Sequence, residues 1–171
     1  RLKNGFEITS NKVLYYNKNK LIISNNKSDV IDPDGTLITV DMFEYLIEKN
    51  LFSSRGKIIV TDVNKNKYFF IEMYVDTKSK KIVGSDIRVL LNQEHISELV
   101  SENEPRLAAN SAFISKDRSE FIDGILTTCK QRGEKCPPWT LQAKKISHDK
   151  IKKTIYYDSV VLKIYDVPLF Y

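Results

Sequence analysis

Apolar and polar residues alternate with a period of two in short runs along most of this chain. Val13 and Tyr15, Leu21 and Ile23, Ile58 and Val60, Ile87 and Val89, and Val160, Leu162 and Ile164 each fall on one face of an extended segment. β-branched and aromatic residues dominate these runs, as strands prefer. Turn formers break them. In Asp32-Pro33-Asp34-Gly35 the proline presets φ and the glycine accepts a positive φ. Only 42–49 and 93–100 carry helix-compatible patterns. The first coincides with a strand of the repeat described next and reads as strand; the second reads as a short surface turn of helix. Regular strands without intervening helices predict an all-β fold.

The strands recur. Shifted by 30 positions, Ile8 falls on Ile38, Thr9 on Thr39, Val13 on Phe43, Tyr15 on Tyr45, Leu21 on Leu51, Ser24 on Ser54, Val30 on Val60 and Asp32 on Asp62. Further along, a shift of 31 places Val40 on Ile71, Phe43 on Tyr74, Leu51 on Ile82 and Ser54 on Ser85. Gly56 falls on Asn26, and both residue types tolerate the left-handed conformation of a tight bend. Strand pairs of this period predict stacked hairpins in preference to a globular sandwich.

Composition adds bounds. The 171 residues fit one elongated domain, and the formal net charge is +5. The excess sits in turns such as Asn17-Lys18-Asn19-Lys20, Asn64-Lys65-Asn66-Lys67 and Lys78-Ser79-Lys80-Lys81. These are solvated hairpin tips or a means of attracting polyanions, nucleic acid or phosphorylated lipid heads. No apolar run approaches the ~18 residues of a membrane helix. No leader pattern precedes the first strand, and the expectation is a fragment of a longer protein.

Little in the chain supports chemistry. There is no nucleophile elbow, phosphate loop or zincin motif. His148, in Ile146-Ser147-His148-Asp149, reads as a hydrogen-bonded turn histidine. Two cysteines and two distant histidines are too few for a metal site, so neither metal nor other cofactor is expected. The acidic residues are scattered, which argues against a polysaccharide-cleaving carboxylate pair. The chain reads as a non-enzyme. Cys129 and Cys136 flank a polar loop at a spacing that excludes a redox motif. The recurring aromatics line either a filled core or an open apolar groove.

The segment Asp123–Cys129, the Cys136-Pro137-Pro138-Trp139 strand entry, Ile146–Asp149, the aromatic run Thr154–Ile164 and the exit Val167–Tyr171 resemble the periplasmic N-terminal domain of the LptD (OstA/Imp) family. Val30–Tyr45 and Asn50–Gly56 resemble the OstA repeat shared with LptA and LptC. The resemblance implies a β-jellyroll, a V-shaped tube of antiparallel strands over residues 1–171, without the family's C-terminal barrel. It implies lipopolysaccharide transport at the periplasmic side of the outer membrane of a Gram-negative bacterium. Lipid would arrive from LptA and pass to the barrel held with LptE; nucleic acid would not be a partner. The groove expected for lipid A acyl chains comprises Phe6, Ile8, Val13, Tyr15, Leu21, Ile23, Val40, Phe43, Tyr45, Ile58, Val60, Ile71, Ile87, Val89 and Phe113. The docking edge expected for LptA is Phe6, Glu7, Ile8, Thr9 and Ser10. In a periplasmic protein Cys129 and Cys136 would close a local disulfide, or Cys129 would pair with a cysteine of the barrel. The competing readings are a basic nucleic-acid-binding β module and an LptA- or LptC-like bridge component.

Overall fold

The computed structural model describes residues 2, 5–92, 105–129, 137–152 and 154–170. These residues form one open antiparallel sheet of fourteen strands: β1 Glu7–Ser10, β2 Leu14–Tyr16, β3 Leu21–Ser24, β4 Ser28–Ile31, β5 Leu37–Val40, β6 Phe43–Leu46, β7 Leu51–Thr61, β8 Lys67–Asp76, β9 Lys81–Leu90, β10 Arg106–Ile114, β11 Arg118–Thr127, β12 Trp139–Asp149, β13 Thr154–Ile164 and β14 Val167–Phe170. The all-β expectation holds. Of the segment 42–49 expected as strand, only Phe43–Leu46 is strand, and a turn occupies 47–50. The helical turn expected over 93–100 lies outside the described residues. Among those described there is no helix long and apolar enough to cross a membrane.

Each long strand is bent once near its middle. In β7 and β8 the register slips so that Gly56 and Lys57 oppose Ile71, and Gly56 has φ +98°. Asp86 (φ 50°), Asp123 (φ 51°) and Ser159 (φ 52°) take the same left-handed conformation in mid-strand in β9, β11 and β13. The earlier strands are interrupted at the corresponding places, between β1 and β2, β3 and β4, and β5 and β6. A bulge of this kind bends a strand and re-aims its side chains. Aligned across the sheet, these bends make a crease with a leaf on either side. One leaf holds β1, β4, β5 and β14 with the 58–61 half of β7; the other holds β2, β3 and β6 with the 51–54 half.

The repeat is visible at atomic detail. Left-handed residues end the turns at Lys20, Asn50 and Lys80, and recur at Gly35 and Lys65. Asp32 Oδ1 accepts from the backbone N–H of Asp34 (2.9 Å) and Thr36 (2.8 Å). Asp62 Oδ1 accepts in the same way from Asn64 and Asn66, each at 2.9 Å. The Ser24 hydroxyl donates to the Lys12 carbonyl (2.8 Å) and the Ser54 hydroxyl to the Met42 carbonyl (2.6 Å). The shift of 31 is therefore corrected to 30 up to the crease. Buried Phe43 corresponds to buried Met73, not to exposed Tyr74, and Gly56 corresponds to Asp86.

Candidate functional site

Residues directly opposite one another in paired strands point to the same face, so the registers trace the two faces of the sheet. On the first leaf Ile8 faces Val30, then Ile38, Val60, Tyr68, Val89, Leu107, Leu126, Leu141 and Leu162. On the second leaf Tyr15 faces Ile22, then Tyr45, Phe52, Val75, Ile82 and Ile114. Beyond Ile114 this row turns polar at Ser119 and His148 before Ile155. The first row is apolar from β1 to β13, roughly 40 Å at about 4.8 Å per strand. Both rows lie inside the V, where the leaves cover each other. The outside carries charge, including Arg55–Glu72 (2.8 Å), Arg118–Glu120 (2.9 Å) and Lys145–Glu120 (3.0 Å).

The interior is filled in its middle and open at its ends. Val40, Phe43, Ile58, Met73 and Ile87 are buried, and the rings of Phe43 and Phe52 stack at 5.3 Å. Toward β2 the inward-facing Tyr15 is 54% exposed. Toward β13, Ile155 is exposed while Tyr157, Val160 and Leu162 are half-buried. Small residues at Gly84, Ala109, Ala112, Gly124 and Ala143 line the inner crease, where the leaves converge.

The expected groove residues divide. Phe6, Ile8, Val40, Phe43, Tyr45, Ile58, Val60, Ile87 and Val89 face the interior, buried or packed against it, and Val13 and Tyr15 lie at its open end. Leu21 and Ile23 do not face inward: Ile22 does, because it pairs with Tyr45, whereas Ile23 pairs with exposed Glu44. Ile71 sits at the crease and points out, 59% exposed. Phe113 also points out, 36% exposed, because the bend in β10 moves the inward positions from Leu107 and Ala109 to Ala112 and Ile114. Strict alternation carried across the bend reverses the faces. Inward residues outside the expected set include Phe52, Phe70, Met73, Val75, Leu141, Tyr157, Val160 and Leu162. For Phe52, Phe70, Met73 and Val75 the available signal was the 30-residue repeat, which sets Phe70 on Val40 and Met73 on Phe43.

Among the described residues β1 is a terminal strand paired only with β4, and Glu7 and Thr9 point away from the core as expected. Phe6 precedes the strand and its ring is buried. The N-terminal edge continues into β2, with Leu14, Tyr15 and Tyr16 exposed. At the other end β14 covers β13 only from Leu162 to Ile164, leaving residues 154–161 as an open edge among those described. His148 is not in a turn. It lies in β12 opposite Ser119 and Ile155, and burial followed by the charge of Lys150 holds its pKa below the ordinary value. Burial also lowers the Lys150 pKa, opposed by Asp62 and Asp117. Cys129 is half-buried; its expected partner Cys136 lies outside the described residues. Among the described residues no three metal-ligating side chains cluster.

No protein-family model matches the chain, and no curated protein matches it. Among solved structures it is similar to LptH, described as the LptA-homologous periplasmic component of the conserved lipopolysaccharide transport device of Pseudomonas aeruginosa. The likeness has a TM-score of 0.56 at 12% identity and covers 77% of this chain and 95% of that one. It shows a shared fold, a β-jellyroll.

Proposed function

We propose that this chain is a non-enzymatic lipopolysaccharide-transport domain of the periplasm that conducts acyl chains along its inner face. The observation that carries the reading is the apolar row from Ile8 to Leu162, which crosses ten strands from β1 to β13 without a charged residue. Exposing acyl chain to water costs ~0.8 kcal/mol per CH₂, so an uninterrupted apolar track lowers the barrier to moving lipid along it. The fold shared with a named lipopolysaccharide-transport component supports the same reading. In the finer form the chain is the N-terminal domain of an LptD-like protein, receiving lipid from LptA and passing it to a barrel held with LptE. A second reading, an LptA- or LptC-like bridge component, draws on the likeness covering nearly all of LptH. A nucleic-acid module fits less well, because Lys18, Lys65 and Lys78 sit at turn tips and not along one strand face.

A photo-crosslinking residue tests the track. Placed at Tyr15, Tyr157 or Leu162 it is expected to capture lipopolysaccharide in cells. Placed at outward Ile71 or Phe113, or at turn residue Lys18, it is expected to capture none. Equal labelling of inward and outward positions would reject the track.

The N-terminal edge offers the matching docking test. An edge strand presents unpaired backbone donors to a partner strand. In an antiparallel strand these donors point alternately toward and away from the neighbour, so of Ile8→Pro and Thr9→Pro one removes an outward donor. That variant is expected to keep its β-sheet circular dichroism and bind an LptA partner at least tenfold more weakly, a typical loss for one hydrogen bond plus local mismatch. Unchanged affinity in both variants would place docking elsewhere.

A further inference from the structure

The rims of the two leaves meet over a cleft of about 150 Å³ floored by Phe6, Ile38, Val60 and Val75. The turns at 32–36 and 62–66 form one rim; the turns at 77–80, 115–117 and 150–152 form the other. The charged residues that line the cleft differ in sign between the rims, although Lys65 also lies on the first rim and Asp117 on the second. Asp32, Asp34 and Asp62 stand on the first rim, and Lys80, Lys116 and Lys150 on the second. Lys80 Nζ pairs with Asp34 Oδ2 across the gap, joining residues 46 positions apart. Lys150 Nζ donates to the Ser115 carbonyl (2.7 Å), and its charge is within electrostatic reach of Asp62 on the opposite rim.

Asp32 and Asp62 are committed to their turns through the backbone N–H groups they accept. Asp34 is different: its side chain is 62% exposed and it stands at the rim opposite Lys80. An ion pair so exposed holds weakly and exchanges readily. We propose that this seam is a headgroup site, in which the phosphate of an acylated amphiphile replaces Asp34 on Lys80 while its chains enter the cleft beneath. A phosphate carries more charge than a carboxylate and offers three strong acceptor oxygens, so it wins that exchange. Lys116 lines the same cleft and Lys150 reaches the Ser115 carbonyl beside it, with Asp117 offsetting part of their charge. The inference rests on the acyl-track reading and adds to it a ligand chemistry and a point of hold.

The test compares bisphosphorylated lipid A with the same lipid stripped of phosphate, in detergent, by displacement of a fluorescent fatty acid. The expected result is roughly tenfold tighter binding of the phosphorylated lipid by the unaltered chain, the scale of one charge-assisted hydrogen bond. Lys80→Gln is expected to remove that preference without changing affinity for the stripped lipid. Asp34→Asn is expected to strengthen binding of the phosphorylated lipid several-fold. Lys18→Gln, which removes the same charge from a distant turn, is expected to behave as the unaltered chain. Inorganic phosphate at equal concentration should displace neither lipid; displacement would indicate a free-phosphate site and overturn the headgroup assignment. Equal affinity for the two lipids, or equal effects of Lys80→Gln and Lys18→Gln, overturns the seam and leaves the acyl track standing. Failure of both lipids to bind overturns the track and the seam together.

Discussion

Phe43→Ala is expected to destabilise the fold by about 3–5 kcal/mol, the usual scale for removing a buried aromatic ring. Phe43 is 1% exposed at the inner crease and stacks on Phe52 at 5.3 Å. Its alanine variant leaves a cavity lined by neighbours held in paired strands, which relax only in part. Tyr15→Ala removes an aromatic of similar size from the same face at the open end, and is expected to stay within about 0.5 kcal/mol of the unaltered chain. Urea unfolding at unchanged slope measures both. The contrast separates two accounts of the interior. If Phe43→Ala costs less than about 1 kcal/mol, well below the range for a packed ring, the middle of the V is already an open groove. The full cost means that the middle is a packed core when no lipid is present, and that on the proposed function acyl chains part the leaves to pass. In the second case saturating lipid stabilises the protein by mass action, and the gain is expected to be smaller in Tyr15→Ala.

Much of the architecture was legible in the residues. Turn chemistry at Asp32-Pro33-Asp34-Gly35 and the identity of Ser24 with Ser54 located real equivalences, down to the same hydrogen bonds. The inward assignments of Val40, Phe43, Ile58 and Val60 came from alternation within one half-strand and held there. Alternation failed where it crossed the crease. Asp86, Asp123 and Ser159 adopt positive φ without being glycine, so composition did not announce the bends. Each bend lets both half-strands turn their apolar residues inward although the period-two count slips. That slip reversed Phe113; the shift of 31 instead matched residue types, Val40 with Ile71 and Phe43 with Tyr74, where the buried equivalents are Phe70 and Met73. Leu21 and Ile23 failed for a different reason. Leu21, Ile22 and Ile23 form an unbroken apolar run, and only the pairing of Ile22 with Tyr45 decides which residue faces inward. The seam was also out of reach, since nothing local brings Lys80 to Asp34.

Gly84→Val is expected to destabilise by about 1–3 kcal/mol, the scale of overpacking, and so to lower the melting temperature by several degrees. A Cβ at this position would stand 2.3 Å from Phe70 Cδ1 and 2.9 Å from the Glu72 carbonyl oxygen. The ring can rotate away, but only by giving up its own buried packing beside Ile87. The carbonyl belongs to the strand paired with β9 and has no such freedom. Glycine is thus required at 84 by a close approach and not by its φ. Gly56 is the complementary case: nothing lies within 4 Å of its Cβ position, yet φ is +98°. Gly56→Ala is expected to cost about 1 kcal/mol through backbone strain alone. A double-mutant cycle distinguishes the two causes. Phe70→Leu, itself destabilising, should recover part of the Gly84→Val loss by making room, and should add independently to Gly56→Ala. Additivity in both cycles would mean that Phe70 does not crowd Gly84, and that the leaves converge at the crease less closely than this packing requires. On the proposed function acyl chains pass this same narrowing, so Gly84→Val folded at low temperature is also expected to transmit lipid along the track less well, measured as crosslinking at Leu162 relative to Tyr15.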